Sequence, residues 1–195
     1  MKIIITGAQG VGKSTLLRKM CEIHEEYKPL MIQEVVRSLA SKDSEVRVNE
    51  GGDYKSQDLF FKTYLNIFSS RESYISDRGL VDVVAYTKVL AKRKHSVKLW
   101  FLYLKQRHEM MKFLRDHRDT AYVFLRPMIY LEDDGFRSTN AKYQYEIDSA
   151  ISDLLDVITK KDLLNRYVVM RTSSLSHRIG LMEKMLSYVR SQETN

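Results

Sequence analysis

The stretch GAQGVGKST, residues 7–15, follows a short β-branched run, Ile3–Ile5, at the start of the chain. It matches the pattern GxxxxGKS, whose glycines allow a tight turn and bring backbone N–H groups close to phosphate oxygens. Apolar residues at helical spacing follow, so these N–H groups are predicted to lie at a helix N-terminus, where the dipole favours an anion. Strand, turn and helix together predict a phosphate-binding loop.

Two side chains of this loop predict the binding of a nucleoside triphosphate with a metal ion. Lys13 is placed to reach the β- and γ-phosphates, and the Ser14 hydroxyl is placed to ligate Mg²⁺. We therefore expect ATP and Mg²⁺ as cofactors. The predicted ATP-binding residues are Gly7, Ala8, Gln9, Gly10, Val11, Gly12, Lys13, Ser14, Thr15 and Arg126.

Short apolar runs alternate with helical patterns along the whole chain. After the first strand, further strands are predicted at residues 30–32, 74–76, 122–125 and 167–170, each followed by a segment with helical periodicity. Such alternation requires crossover connections and one sheet covered on both faces. We predict an α/β, three-layer P-loop NTPase fold, with a mostly parallel five-stranded sheet and helices on both faces, forming a single domain over residues 1–195.

Acidic and basic residues follow two of the predicted strands. Glu34 comes after the second strand, and Asp77 and Arg78 come directly after the third. Ligands in open α/β sheets bind outside the carboxyl ends of the strands, so these side chains are predicted to line the site. Asp77 is a candidate to hold Mg²⁺ with Ser14, and Arg78 supplies a positive fork for phosphate. The alternative for Glu34 is an ordinary acid at a helix N-terminus. The alternative for Asp77 and Arg78 is a structural salt bridge.

A polar, turn-rich segment follows the fourth strand. Residues 126–140 begin with Arg126-Pro127 and present Arg137 shortly before a new helix. A loop that carries an arginine after a strand end is typical of a lid that closes over transferring phosphates. We therefore predict Arg137 to be a lid residue and to act in catalysis with Lys13, Glu34, Asp77 and Arg78.

The positive charge of the chain is concentrated in one segment. The formal net charge is +7, and residues 88–118 contain ten basic and two acidic side chains, a local charge of +8. Solvated helix faces would explain this segment, and so would a binding surface for a polyanion such as nucleic acid. One long helix is predicted within it, from His95 to His117. The expected buried face comprises Val97, Trp100, Phe101, Leu104, Met111 and Leu114.

Several motifs agree in their order with a known group of proteins. GAQGVGKST, IQEVVR, SDRGLVDVVAY, YVFLRP and DDGFRSTNAKYQYEID together resemble P-loop kinase-type ATPases related to the nicotinamide riboside kinase domain and to nucleoside and nucleotide kinases. The resemblance implies that Glu34 activates the acceptor hydroxyl, that Asp77 and Arg78 form the pair beneath the phosphates, and that Arg137 belongs to the lid. The basic segment 88–118 departs from the group.

These observations favour an ATP- and Mg²⁺-dependent phosphotransferase with a small nucleoside or nucleotide acceptor. One alternative is a kinase that phosphorylates a hydroxyl on nucleic acid, such as a hydroxymethylated pyrimidine in DNA, bound through the basic segment. Another is a nucleotide-dependent binding or switch protein with little turnover. No apolar run is long enough to span a bilayer, and Cys21 is the only cysteine, so we expect a cytoplasmic protein without a membrane partner.

Overall fold

A five-stranded sheet organises the protein. The structure is a computed structural model that describes residues 1–128, 139–164 and 166–193. Every strand pair is parallel, and the order is β2-β3-β1-β4-β5. The strands are β1 (Lys2–Thr6), β2 (Met31–Ile32), β3 (Tyr74–Ser76), β4 (Ala121–Leu125) and β5 (Tyr167–Met170). The predicted α/β class and the positions of the five strands are confirmed.

Seven α-helices lie among the described residues and connect or follow the strands. They are α1 (Lys13–Ile23), α2 (Val35–Lys42), α3 (Tyr54–Ser69), α4 (Leu80–Arg93), α5 (Val97–Asp116), α6 (Ala141–Lys160) and α7 (Leu175–Glu193). Helix α1 packs against α7, while α4 packs against α3, α5 and α6. These two groups are the outer layers of the predicted three-layer fold. Among the described residues, no helix is both long and apolar enough to cross a membrane.

The two central strands are buried along nearly their whole length. Ile3, Ile4 and Ile5 of β1 and all residues of β4 have no exposed surface. Strands covered by helices on both faces consist of continuous apolar residues. This explains why β1 and β4 are recognisable in the sequence. Because β1 lies between β3 and β4, the loop that follows β1 is placed at the middle of the carboxyl edge of the sheet.

Two helix boundaries are not determined by helical periodicity alone. Helix α1 ends at Ile23, whose side chain is half exposed, and Tyr27 is buried from a short 3₁₀ helix, Glu25–Leu30. Helix α3 begins at Tyr54, because the Asp53 carboxylate caps its first turn by accepting a hydrogen bond from the Ser56 N–H at 2.8 Å.

The expected buried face of α5 was largely wrong. Val97 and Phe101 are 70% and 67% exposed, and Trp100 and Leu104 are also exposed. Helix α5 packs mainly against α4, and it does so through a face rotated from the expected one. The N-terminal half of α5 is apolar almost all round, so periodicity alone did not decide between the two faces. The residues buried instead are Leu99, Leu102, Tyr103, Gln106, Met110 and Phe113, together with the correctly predicted Leu114.

Gly7 provides a test of how tightly the loop after β1 is packed. A Cβ at Gly7 would lie 2.5 Å from the backbone oxygen of Leu125, and its φ of +153° disfavours other residues. We expect Gly7→Ala to lower the free energy of unfolding by about 2 kcal/mol or more. Urea unfolding followed by circular dichroism measures this loss.

Gly180 is the matched control, because it lies inside α7 with nothing within 4 Å of an added Cβ. Gly180→Ala should raise the free energy of unfolding by about 0.5–1 kcal/mol, since alanine is the better helix former. Equal unfolding midpoints for the two variants would contradict the packing described for Gly7.

Candidate active site

A cleft opens beside the loop after β1. Charged and polar groups from three strand ends meet in it: Lys13 and Ser14 after β1, Glu34 after β2, and Asp77 with Arg78 after β3. This is the clustering expected at the carboxyl edge of a parallel sheet. The cleft is also lined by Gln9, Gly10, Val11, Gly12, Val35, Val36, Arg37, Val48, Asn49, Gln57, Phe60, Tyr64, Val83 and Tyr86.

The backbone of the phosphate loop, residues 7–14, is bent as an anion-binding turn. Gly10 and Gly12 adopt left-handed φ values of +75° and +89°, and Gly12 is the N-cap of α1. The Lys13 ammonium is buried and donates hydrogen bonds to the carbonyl oxygens of Gly7 and Ala8 at 2.5 and 2.7 Å. The lysine therefore holds carbonyls inside the loop. Of the remaining predicted loop residues, Ala8 is fully buried and Thr15 is exposed.

A buried carboxylate that sequence reasoning missed fixes the start of this loop. Asp82 of α4 has no exposed surface, and its two oxygens accept hydrogen bonds from the N–H groups of Gly7 and Gly79 at 3.2 and 2.9 Å. Burial raises the pKa of Asp82, while the charges of Lys13 and Arg78 work to lower it. The signal was present, because Asp82 is the only acid in the apolar run Leu80–Ala85.

Ser14 and Asp77, the two predicted magnesium ligands, lie in direct contact. The Ser14 hydroxyl donates a hydrogen bond of 2.8 Å to a carboxylate oxygen of Asp77, which is almost fully buried. Magnesium in nucleotide sites takes oxygen ligands, commonly one or two from the protein with the rest from water and phosphates. A hydroxyl and a carboxylate next to the phosphate loop fit that requirement, and these two residues would hold the ion.

Glu34 occupies a strained backbone position at the edge of the cleft. Its φ is +53°, a left-handed value that is uncommon for a residue with a side chain, and it is the N-cap of α2. Its carboxylate lies 3.3 Å from Nε of Arg37, and both side chains are partly exposed. Such strain is often kept at functional sites, because it aims a side chain where a regular backbone would not.

Arg78 is held over the aromatic ring of Tyr86. The guanidinium carbon lies 5.3 Å from the ring centroid. Burial works to lower the pKa of Arg78, but Tyr86 and Asp82 together raise it above its ordinary value. The Tyr86 hydroxyl in turn donates to the side-chain oxygen of Gln9 at 2.9 Å. The guanidinium is thus a fixed positive charge next to the phosphate loop.

Arg126 lies outside the group that lines the cleft. Its guanidinium forms an ion pair of 2.7 Å with Asp148 of α6, which is 2% exposed, and the second carboxylate oxygen of Asp148 has no hydrogen-bond partner among the described residues. Burial raises the pKa of Asp148 from its ordinary value of 3.8 to about 6, against the lowering effect of Arg126 and Arg171. Arg137 and most of the predicted lid, residues 129–138, lie outside the described residues.

The far side of the cleft is formed by α3 and α4. Phe60 and Tyr64 of α3 are core residues that also line the cleft, and the Tyr64 hydroxyl is buried without a hydrogen-bond partner among the described residues. The side-chain oxygen of Gln57 lies 3.2 Å from the Thr87 hydroxyl. An apolar wall with a few polar groups is the usual lining of a small-molecule site, so this side can receive a planar, partly apolar ligand.

Much of the basic segment 88–118 is engaged within the protein. Lys88 and Arg93 pair with Asp153 and Glu146 of α6, and Lys94 donates to backbone oxygens of residues 51 and 52. Lys98 lies over the Tyr54 ring, Lys105 pairs with Glu109, and Arg118 pairs with Asp162. Within the described part of the chain, Lys92, Arg107, Lys112 and Arg115 form no ion pair. The charge open to a polyanion is therefore smaller than the sequence indicates.

A family model described as an AAA domain, AAA_28, matches residues 2–174 of this chain. The chain belongs to this family. Among curated proteins, no sequence matches it.

Solved structures share the fold of this AAA-domain chain. Deoxyadenosine kinase from M. mycoides with the products dCMP and dCDP bound superposes with a TM-score of 0.66 at 16% identity, covering 97% of this chain and 100% of that one. The same enzyme with bound dATP superposes with a TM-score of 0.61 at 15% identity, and the match covers 96% of this chain and 100% of that one.

NadR in complex with NR gives a TM-score of 0.63 at 16% identity, and the match covers 94% of this chain and 51% of NadR. The AAA-domain chain thus corresponds to about half of NadR. At these identities the likeness establishes the fold, and the predicted resemblance to the P-loop kinase group is confirmed at that level.

The buried Asp148 should make stability depend on pH. An acid whose pKa is raised in the folded state stabilises that state while protonated, and this contribution is lost as the pH rises through the folded pKa. We subtract the unfolding free energy of Asp148→Asn from that of the wild type. This difference should decrease as the pH rises from about 4 to 6. Urea unfolding of both proteins over this range measures the difference. A difference that stays constant or grows with pH would contradict the raised pKa.

Replacing Lys13 and replacing Ser14 should affect ATP binding in different ways. Lys13→Ala should weaken ATP binding on the order of 10²-fold, because it removes the ammonium from the loop. Ser14→Ala should weaken ATP binding in Mg²⁺ but leave binding in EDTA near that of the wild type. Titration calorimetry measures both, with Lys19→Ala, an exposed lysine of α1 paired with Glu22, as control. Unchanged affinity in Lys13→Ala would refute the assignment of the loop.

Proposed function

We propose that this protein is an ATP- and Mg²⁺-dependent phosphotransferase that moves the γ-phosphate to a nucleoside or nucleotide bound in the cleft. The observation that carries the proposal is the position of Glu34, whose acid lines the same cleft as the phosphate loop and the Ser14–Asp77 pair. A nucleotide switch needs no acid at this strand end, so the arrangement favours an enzyme over a binding protein.

The residues of the cleft have separate roles in an in-line transfer of the γ-phosphate. The phosphate loop and Lys13 bind the β- and γ-phosphates, and Arg78 neutralises charge on the transferring group. Mg²⁺, held by Ser14 and Asp77, would neutralise further phosphate charge. Glu34 accepts the proton of the acceptor hydroxyl while that oxygen bonds to the γ-phosphorus. The bond from the γ-phosphorus to the bridging oxygen breaks, and ADP leaves.

The acceptor is proposed to be small and to carry a planar ring. The far wall of the cleft offers Phe60, Tyr64 and Gln57, which suit a nucleobase or a similar ring. The solved kinases of the same fold support this choice, because one is named for deoxyadenosine and another was solved with NR. The partly neutralised basic segment makes a nucleic-acid acceptor the weaker alternative. Arg126 and Arg137 stay predicted nucleotide and lid residues, and the cytoplasmic location stays a prediction.

Transfer of labelled phosphate tests the proposal. The protein is incubated with γ-labelled ATP and Mg²⁺ against nucleosides, nucleoside monophosphates, nicotinamide riboside and DNA that contains hydroxymethylated pyrimidines. Label is expected on a small acceptor. Label on DNA alone would move the function to the nucleic-acid alternative, and ATP binding without any transfer would favour the switch protein.

Glu34→Gln separates an acceptor-side base from a helix-terminal acid. The amide keeps the size of the side chain but accepts no proton, so kcat should fall on the order of 10²-fold while ATP affinity stays nearly unchanged. Glu22→Gln, which alters an exposed acid on α1, is the control and should keep full activity. If Glu34→Gln retains the kcat of the wild type, Glu34 has no catalytic role.

A further inference from the structure

Arg178 of α7 is a charged residue buried behind the phosphate loop. It is 2% exposed, and its Nη1 donates a hydrogen bond of 2.6 Å to the carbonyl oxygen of Val11, which lies 167 residues away in the sequence. Its Nε donates a second bond, of 2.7 Å, to the carbonyl oxygen of Thr172. Nη2 is buried and has no hydrogen-bond partner among the described residues.

The charge of Arg178 is balanced by carbonyl dipoles alone within the described part of the chain, where it forms no ion pair. Burial lowers the pKa of Arg178, but a guanidinium stays protonated in proteins. A buried cation without a carboxylate is unfavourable, so its presence requires some compensating role. The position of Arg178 next to an anion-binding loop supplies such a role, because a bound polyphosphate would provide the missing negative charge.

The hydrogen bond to Val11 has a direct consequence for Gly12. The carbonyl of Val11 and the N–H of Gly12 belong to one planar peptide unit and point in opposite directions. When Arg178 holds the carbonyl from behind, it fixes the direction of the Gly12 N–H at the N-cap of α1. A cation on the carbonyl also polarises the peptide, which makes that N–H a stronger donor to an anion.

The hydrogen bond from Nε of Arg178 to the Thr172 carbonyl oxygen connects Arg178 to another loop. Thr172 lies in the segment between β5 and α7, at the carboxyl edge of the sheet where ligands of such folds bind. Arg178 thus joins the phosphate loop to the β5–α7 segment through one rigid planar group. A similar support comes from α6, where the Gln144 amide donates to the carbonyl oxygen of Gln9 at 2.7 Å.

We infer that Arg178 is a positioning residue for polyphosphate binding, which orients the Gly12 N–H through the Val11 carbonyl and places a positive charge behind the loop. The ligand class is a polyphosphate anion, free or as part of a nucleoside triphosphate. The inference rests on the proposed function only in taking the loop as a polyphosphate site, and it does not require transfer to an acceptor.

Binding of inorganic tripolyphosphate and of ATP, each with Mg²⁺, tests the inference by titration calorimetry well below the unfolding temperature. Arg178→Met should weaken both ligands about tenfold, the size of one hydrogen bond to a charged group. Arg178→Lys keeps the charge and should lose less affinity than the methionine variant. Arg190→Met is the matched control, since Arg190 lies on the same helix but is exposed and pairs with Glu26, and it should bind as the wild type does.

The outcomes are distinct from those of the phosphotransfer assay. If Arg178→Met lowers the thermal midpoint but binds both ligands as tightly as the wild type, Arg178 only stabilises the fold and the inference is wrong. If the wild type binds neither ligand, the inference and the proposed function both fail, whereas binding without transfer removes only the proposed function. Should the methionine variant not fold, Arg178→Gln decides, because it removes the charge but keeps a polar side chain: an unshifted ¹⁵N–¹H resonance of Gly12 and unchanged affinity for both ligands would overturn the inference.

Discussion

The hydrogen bonds of the buried Asp82 carboxylate to the N–H groups of Gly7 and Gly79 join the two turns on which the site is built. One turn begins the phosphate loop, and the other leads from Asp77 and Arg78 into α4. With both N–H groups bound to one carboxylate, the residues next to them in the chain keep a constant separation. The contact of Ser14 with Asp77 depends on that separation, and so does the position of Arg78 beside the loop.

Charges around the phosphate loop support one another rather than acting singly. Asp82 is fully buried, and it stays compatible with burial because Lys13 and Arg78 lie close enough to favour its charged form. Lys13 and Arg178 hold carbonyl oxygens of the loop from opposite ends of the chain. Removing one member leaves the others buried with less compensation, and this is usually more destabilising than the net strength of any one pair. The hydrogen bonds of these groups are thus formed without a ligand, which is the preorganisation that the proposed phosphotransfer would require.

The parts of the site that the sequence predicted are those encoded by contiguous residues. The phosphate loop and the acids at two strand ends follow from local motifs, since a strand, a turn and a side chain directly after it need no knowledge of the rest of the fold. Asp82, Gln144 and Arg178 were missed because each reaches the loop from a distant helix, and only tertiary packing brings it there. The face of α5 was missed for a related reason, because two apolar stripes at the same spacing compete and the neighbouring helix α4 selects one.

The position of β1 in the middle of the sheet has a consequence for how the protein is made. The phosphate loop leaves the ribosome before its supporting elements, because β1 pairs with β3 and β4, whose residues emerge roughly 70 and 120 positions later. Gly7 packs against Leu125, and Val11 receives its hydrogen bond from Arg178, which lies in the first turn of α7. The nascent chain therefore exposes an apolar strand and an unsupported loop until these later segments have been synthesised. The loop gains its full set of supporting contacts only when α7 packs against α1.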